Sequence, residues 1–172
     1  RTMGFRGEAL ASICAVAHVE VLTRRAEDEV GTRIEIAGSE VLSQEMVQCP
    51  VGTNMRVKNL FYNVPARLKF IKSLTTELNL CVSFIEKISL SHPEVSFTLI
   101  NNQKEIFKTS GSNDIYKTIH EIYGYNTTKN MIKVEAENYD YMINGYVSNI
   151  NIQKSNKNNM ITLWAIGNRS AS

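Results

Sequence analysis

Gly4-Phe5-Arg6-Gly7-Glu8-Ala9-Leu10 sets two glycines around Phe5 and Arg6 and leads directly into a helix-like run from Glu8 through Val16. Gly4 and Gly7 can take backbone angles closed to other residues. Such a loop can turn its N–H groups toward one point. A helix starting at Glu8 adds its own free N–H groups and a partial positive charge, and phosphate is the natural ligand for that combination. The stretch is not a P-loop, because no Gly-Lys-Ser/Thr follows, and the G-x-G-x-x-G spacing of a dinucleotide fold is absent. The residues alone leave two readings open: a phosphate-cradling loop, or a plain glycine turn with Glu8 well placed in a first helical turn.

Outward from this stretch, Leu10, Ile13 and Ala17 recur at helical spacing with Cys14 beside them, and small residues at Ala9, Ala11, Ser12 and Ala15 allow close approach to a sheet. The period then changes. Val19, Val21 and Thr23 alternate with His18, Glu20 and Leu22, as in a strand. Further strands are expected over Val30 to Ala37, Glu40 to Val47 and Thr53 to Val57, with Gly38-Ser39 as a turn between the first two. Short sequential strands favour an antiparallel or mixed sheet. Pro65 suits the first position of a short helix, and Phe61, Leu68, Phe70 and Ile71 are expected to be packed.

Leu74, Leu78, Val82, Ile85 and Ile88 trace the clearest amphipathic helix, which His92-Pro93 ends. A hairpin around Asn101-Asn102, a polar linker Thr109-Ser110-Gly111-Ser112-Asn113 and a helix from Asp114 to Tyr123 capped by Gly124 follow. Two strands, Met131 to Glu137 and Tyr141 to Val147, precede a polar loop Asn151 to Asn159 and a strand Met160 to Ile166.

The 172 residues carry a formal charge of +2, with 43% hydrophobic and 21% charged residues. These are the proportions of an ordinary globular chain, and the charge is too small to announce nucleic-acid binding by itself. No apolar run is long enough to span a bilayer. Cys14, Cys49 and Cys81 lack metal-ligand spacing and read as free thiols. His18, His92 and His120 are isolated from any triad-like context. Arg67, Lys69 and Lys72 form a modest basic cluster, for which a solvated helix face is the commoner explanation than DNA contact.

Thr2 to Ile13 resembles the phosphate-binding lid of the MutL family of DNA mismatch-repair ATPases, members of the GHKL superfamily. A second block supports the resemblance. Val51-Gly52-Thr53 and Leu60-Phe61-Tyr62-Asn63-Val64-Pro65-Ala66-Arg67 resemble the family's glycine-threonine strand and its Leu-Phe-Tyr-Asn-x-Pro-Ala-Arg signature. The signature separates the chain from gyrase, heat-shock chaperones and histidine kinases, which share only the nucleotide pocket.

The resemblance implies an α+β fold: the C-terminal portion of a GHKL two-layer α/β sandwich over residues 1–109, then the start of a ribosomal protein S5 domain 2-like domain over 112–172. It implies that Gly4, Phe5, Arg6, Gly7, Glu8, Ala9 and Leu10 wrap the triphosphate of ATP, and that Thr53 lies at the floor of the nucleotide pocket. Asn63 and Arg67 are expected to orient the lid or fix the turn. The family's catalytic glutamate, its Mg2+-binding asparagine and its adenine-recognising aspartate precede the lid, so no catalytic residue is assigned here. Its distal lysine lies beyond residue 172, and Ala165-Ile166-Gly167-Asn168-Arg169-Ser170 only roughly resembles the Phe-Val-Asn-Gly-Arg stretch. Because the lid motif begins almost at Arg1, the chain is expected to be an internal fragment.

The implied function is mismatch repair by an ATP-hydrolysing homodimeric clamp that associates with DNA and a MutS-type recognition protein, in the cytoplasm or, in a eukaryote, the nucleus. The alternative is a non-enzymatic DNA or protein interaction module with a degenerate ATP site.

Overall fold

The computed structural model describes residues 8–138 and 142–149. The chain divides into two compact units, 1–72 and 73–172. In the first unit, helix α1 (Glu8–Val16) is followed by strands β1 (His18–Arg24), β2 (Gly31–Ala37), β3 (Glu40–Val47) and β4 (Gly52–Lys58), then by a short helix α2 (Pro65–Leu68). The strands form one sheet in the order β3-β2-β1-β4, with every neighbouring pair antiparallel. Strand alternation sorts its residues. Val19, Val21, Ile34, Ile36, Met55 and Val57 lie on one face, while Glu20, Arg33, Glu35 and Arg56 lie on the other. Helix α1 packs on the β1 and β2 part of the apolar face, where Cys14, Ala17 and Val19 are buried and Ile13, Val21 and Ile36 pack against them.

β1 to β3 form a simple meander, but β4 sits on the far side of β1. The connection from Val47 to Gly52 therefore crosses two strands, a span of about 14 Å. Five residue steps reach about 17 Å when extended, so the crossing must run nearly straight. It passes directly over Gly31, where an added Cβ would stand 2.3 Å from the Cys49 sulfur and 2.8 Å from the Thr23 carbonyl oxygen. Only the absence of a side chain there lets the strand cross.

In the second unit, helix α3 (Leu74–Ser91) starts at Ser73, whose hydroxyl accepts from the Thr76 N–H, and ends at His92, as the His92-Pro93 stop predicts. The hairpin of β5 (Thr98–Asn101) and β6 (Lys104–Lys108) turns through Asn102 and Gln103. Asp114 caps α4 (Ile115–Tyr123) by accepting from the N–H groups of Tyr116 and Lys117, and Gly124 closes it at φ +76°. A short α5 (Tyr125–Thr128) and an antiparallel hairpin of β7 (Met131–Glu137) and β8 (Met142–Ser148) follow.

Two expectations are corrected here. Thr109 to Asn113 is not a slack linker. Thr109 is 1% exposed, its hydroxyl accepts from the Phe97 N–H at 3.1 Å, and its carbonyl accepts from the Ser96 hydroxyl at 2.7 Å. Gly111 at φ +66° then lays the chain against Val95 and Ser96, and the Asn113 N–H donates to the Pro93 carbonyl. Second, Phe70 and Leu68 are exposed at 85% and 46%, and Ile71 is exposed too, while Phe61 alone of the expected group is half-buried. The expected loop Asn151 to Asn159 and strand Met160 to Ile166 lie outside the described residues.

Candidate functional site

Glu8, Ala9 and Leu10 form the first turn of α1 and are exposed, with Glu8 where a helix favours an acid. Gly4, Phe5, Arg6 and Gly7 lie outside the described residues. The chain reverses at Ala17, one residue after α1, and β1 begins at His18. Helix α1 packs on the sheet through Ile13, Cys14 and Ala17, while its first turn is exposed.

The other end of α1 is held by groups from outside the helix. A helix leaves its last carbonyls without intrahelical donors. Here the Cys14 carbonyl accepts from the Ser39 N–H at 3.0 Å, the Val16 carbonyl from the Phe61 N–H at 2.6 Å, and the Ala15 carbonyl from the Asn63 side-chain amide at 2.9 Å. Phe61 donates from an unusual backbone, φ +65°, and Asn59 before it sits at φ +53°. The loop is braced at His18, whose ring lies 4.4 Å from Tyr62 and whose Nδ1 is 3.1 Å from the Asn59 amide nitrogen. The Arg67 guanidinium lies 5.9 Å above the Phe61 ring. The Leu60 to Arg67 block therefore wraps the C-terminal end of the helix that follows the glycine loop.

Thr53 follows Gly52 at the start of β4. Gly52 has φ +117°, a conformation L side chains rarely adopt, which is the physical reason for a glycine there. Thr53 pairs in register with Thr23, and their hydroxyl oxygens are 2.9 Å apart. Since Thr23 shares a face with Val19 and Val21, the Thr53 hydroxyl lies on the α1 side of the sheet, and β4 is exposed along its length. Thr53 and α1 thus belong to one side of the sheet.

On the opposite face, Arg33 bonds Glu20, Glu35 and Glu45 together, and Arg56 reaches Glu20 at 3.4 Å. The Glu45 hydrogen bond, then the Glu35 charge and the Glu20 carboxylate, push the Arg33 guanidinium above its ordinary value. These cations are already committed to carboxylates of neighbouring strands. His92 pairs with Glu94 and His120 with the Thr128 hydroxyl. Among the described residues, no group of three or more His, Cys, Asp or Glu side chains is set to hold a metal ion, and no helix is long and apolar enough to cross a membrane. Sequence reasoning missed Thr23 as the partner of Thr53. The signal was present, since one alternating run closes on Thr23 and another opens on Thr53, each on the parity of its apolar residues.

The four-stranded antiparallel sheet with α1 on one face is of the α+β class of the GHKL ATPase domains, as superposition on solved domains shows. The ATPase domain of Aquifex aeolicus MutL complexed with ADP superimposes with TM-score 0.68 at 32% identity, over 75% of this chain and 52% of that domain. A further structure of the Aquifex aeolicus MutL ATPase domain gives 0.67 at 25% identity, over 84% and 57%. No family model matches the chain. In sequence, MutL of Streptococcus thermophilus is 43% identical over 158 residues, 92% of this chain and 24% of that protein. MutL of Streptococcus agalactiae is 45% identical over 167 residues, 97% of this chain and 25% of that protein. The chain spans about a quarter of the length of these curated relatives. Over that length it belongs to the MutL family of DNA mismatch-repair proteins.

Proposed function

We propose that these residues form part of an ATP-driven mismatch-repair clamp, with Gly4 to Leu10 as the segment that wraps the triphosphate and Thr53 as a residue of the nucleotide pocket. The observation that carries this reading is the Thr53 hydroxyl, beside Gly52 at φ +117°, on the face of the sheet that α1 packs against. A helix start offers free N–H groups to an anion, and a threonine hydroxyl both donates and accepts. In the whole protein, ATP binding orders the loop before Glu8, and that ordering closes two copies on each other. Ordering of a segment by γ-phosphate contacts is an established switching mode. Hydrolysis would use a glutamate, and Mg2+ an asparagine, that the family carries before its lid. DNA and a MutS-type protein are the partners, in the cytoplasm or nucleus. Residues 1–109 belong to the ATPase domain and 112–172 to the S5 domain 2-like domain that follows it.

The test is light scattering of the whole protein with and without a non-hydrolysable ATP analogue, comparing parent and Gly7→Val. A β-branched residue at the joint between loop and helix restricts the backbone. The variant should melt like the parent yet lose nucleotide-dependent dimerisation. Dimerisation equal to the parent's would remove the lid role from Gly7.

A further inference from the structure

We propose that Thr23 is a positioning residue for nucleotide binding: its hydroxyl sets the orientation in which Thr53 presents its own hydroxyl to an adenine nucleotide. This rests on the reading of Thr53 as a pocket residue. The α1-covered face of the sheet is built in rows across β2, β1 and β4. Ile36, Val19 and Val57 make the first row, and Ile34, Val21 and Met55 the second. The third row is Thr32, Thr23 and Thr53. Across these three strands the rows change from apolar to hydroxyl-bearing in one step, while β3 sets Gln44 beside Ile34 and Met46 beside Thr32. The third row lies beyond the buried core of Cys14, Ala17 and Val19, and Thr53 is exposed, so its hydroxyl can meet a polar ligand.

Within the third row, Thr23 and Thr53 are hydroxyl to hydroxyl at 2.9 Å. A hydroxyl carries one proton and two lone pairs. If Thr53 donates to Thr23 it has only lone pairs left to offer, and if it accepts from Thr23 its proton stays free for a ligand. Threonine is restricted at χ1 by its β-branch, and the bond to Thr23 selects among the remaining wells. Without the Thr23 hydroxyl, solvent sets both the rotamer and the proton of Thr53. A purely structural account would treat the pair as a cross-strand contact that steadies an edge strand.

The experiment measures the affinity of the whole protein for a non-hydrolysable ATP analogue by calorimetry, with melting temperature in parallel. The variants are Thr23→Val, Thr23→Ser, Thr53→Val and the double valine. Valine removes the hydroxyl at nearly constant shape, and serine keeps it. Thr53→Val and Thr23→Val should each weaken binding about five- to tenfold, the effect of one hydrogen bond. Thr23→Ser should restore parental affinity. The double variant should bind no more weakly than Thr53→Val, because Thr23 acts only through Thr53. If Thr53→Val weakens binding and Thr23→Val does not, or if their effects multiply, the role given to Thr23 is overturned while the pocket stands. If Thr53→Val leaves affinity unchanged, the pocket reading itself fails.

Discussion

Replacing Asn63 with alanine removes one contact at the end of α1, the amide nitrogen that donates to the Ala15 carbonyl at 2.9 Å. The Ser39 and Phe61 donors on the Cys14 and Val16 carbonyls are main-chain groups and stay in place. Asn63 is exposed and Ala15 half-buried, so water can reach the vacated carbonyl. The loss is then that of an ordinary net hydrogen bond, about 1 kcal/mol, rather than the larger penalty of a sealed unsatisfied group. Such a loss corresponds to roughly a fivefold increase in local opening of the helix end. Aspartate at the same position is the sharper probe. An ionised carboxylate cannot donate, and it adds a negative charge where the helix dipole is already negative, costing about 0.3–1 kcal/mol more. Hydrogen exchange over residues 8–17 should therefore rank asparagine slowest, alanine faster and aspartate fastest, with the second unit unchanged. If aspartate protects α1 as well as asparagine does, the amide is not what holds the helix.

Two further outcomes follow from the second unit. Gly111→Ala would set a Cβ 2.6 Å from the Ser96 backbone nitrogen at φ +66°, so the melting temperature should fall by several degrees, for a cost of about 2 kcal/mol; an unchanged melt would return Thr109 to Asn113 to the status of a linker. The Tyr123 phenol is pushed above its ordinary value by burial and then by the Glu86 carboxylate. The folded state therefore keeps this proton to higher pH than the unfolded chain. The associated stability is present below about pH 10 and is lost as pH rises through that value toward the folded one. Tyr123→Phe should flatten the alkaline fall in melting temperature, and parallel pH profiles for parent and variant would show that Tyr123 is not responsible.

The strands of the first unit were legible because their residues alternate and the turns carry glycine or charge, but their order was not, since no local signal sends β4 to the far side of β1. Val19, Val21, Ile34 and Ile36 announce one buried face in a pattern that a single-residue shift would destroy. Capping was legible where it is local: Pro65 opens α2 and Gly124 ends α4. What a sequence does not carry is the partner of a polar group far along the chain. Asn63 and Ala15 are 48 residues apart, and Thr23 and Thr53 are 30 apart. Short polar stretches misled for a related reason. Thr109 has linker composition, yet its hydroxyl accepts from the Phe97 N–H and it is buried. Periodicity also states which side chains favour burial without stating what covers them. Phe70 and Leu74 have the right character for a packed face and are 85% and 88% exposed in this chain.

The three donors on the last carbonyls of α1 make that end of the helix a pivot. The nine residues of α1 form an arm of about 13 Å. A tilt of about 10° about the anchored end sweeps the free end by roughly 2 Å, close to the distance over which a hydrogen bond is made or lost. A displacement of Glu8 would thus reach the Ser39, Phe61 and Asn63 donors as a small rotation at the other end of the helix.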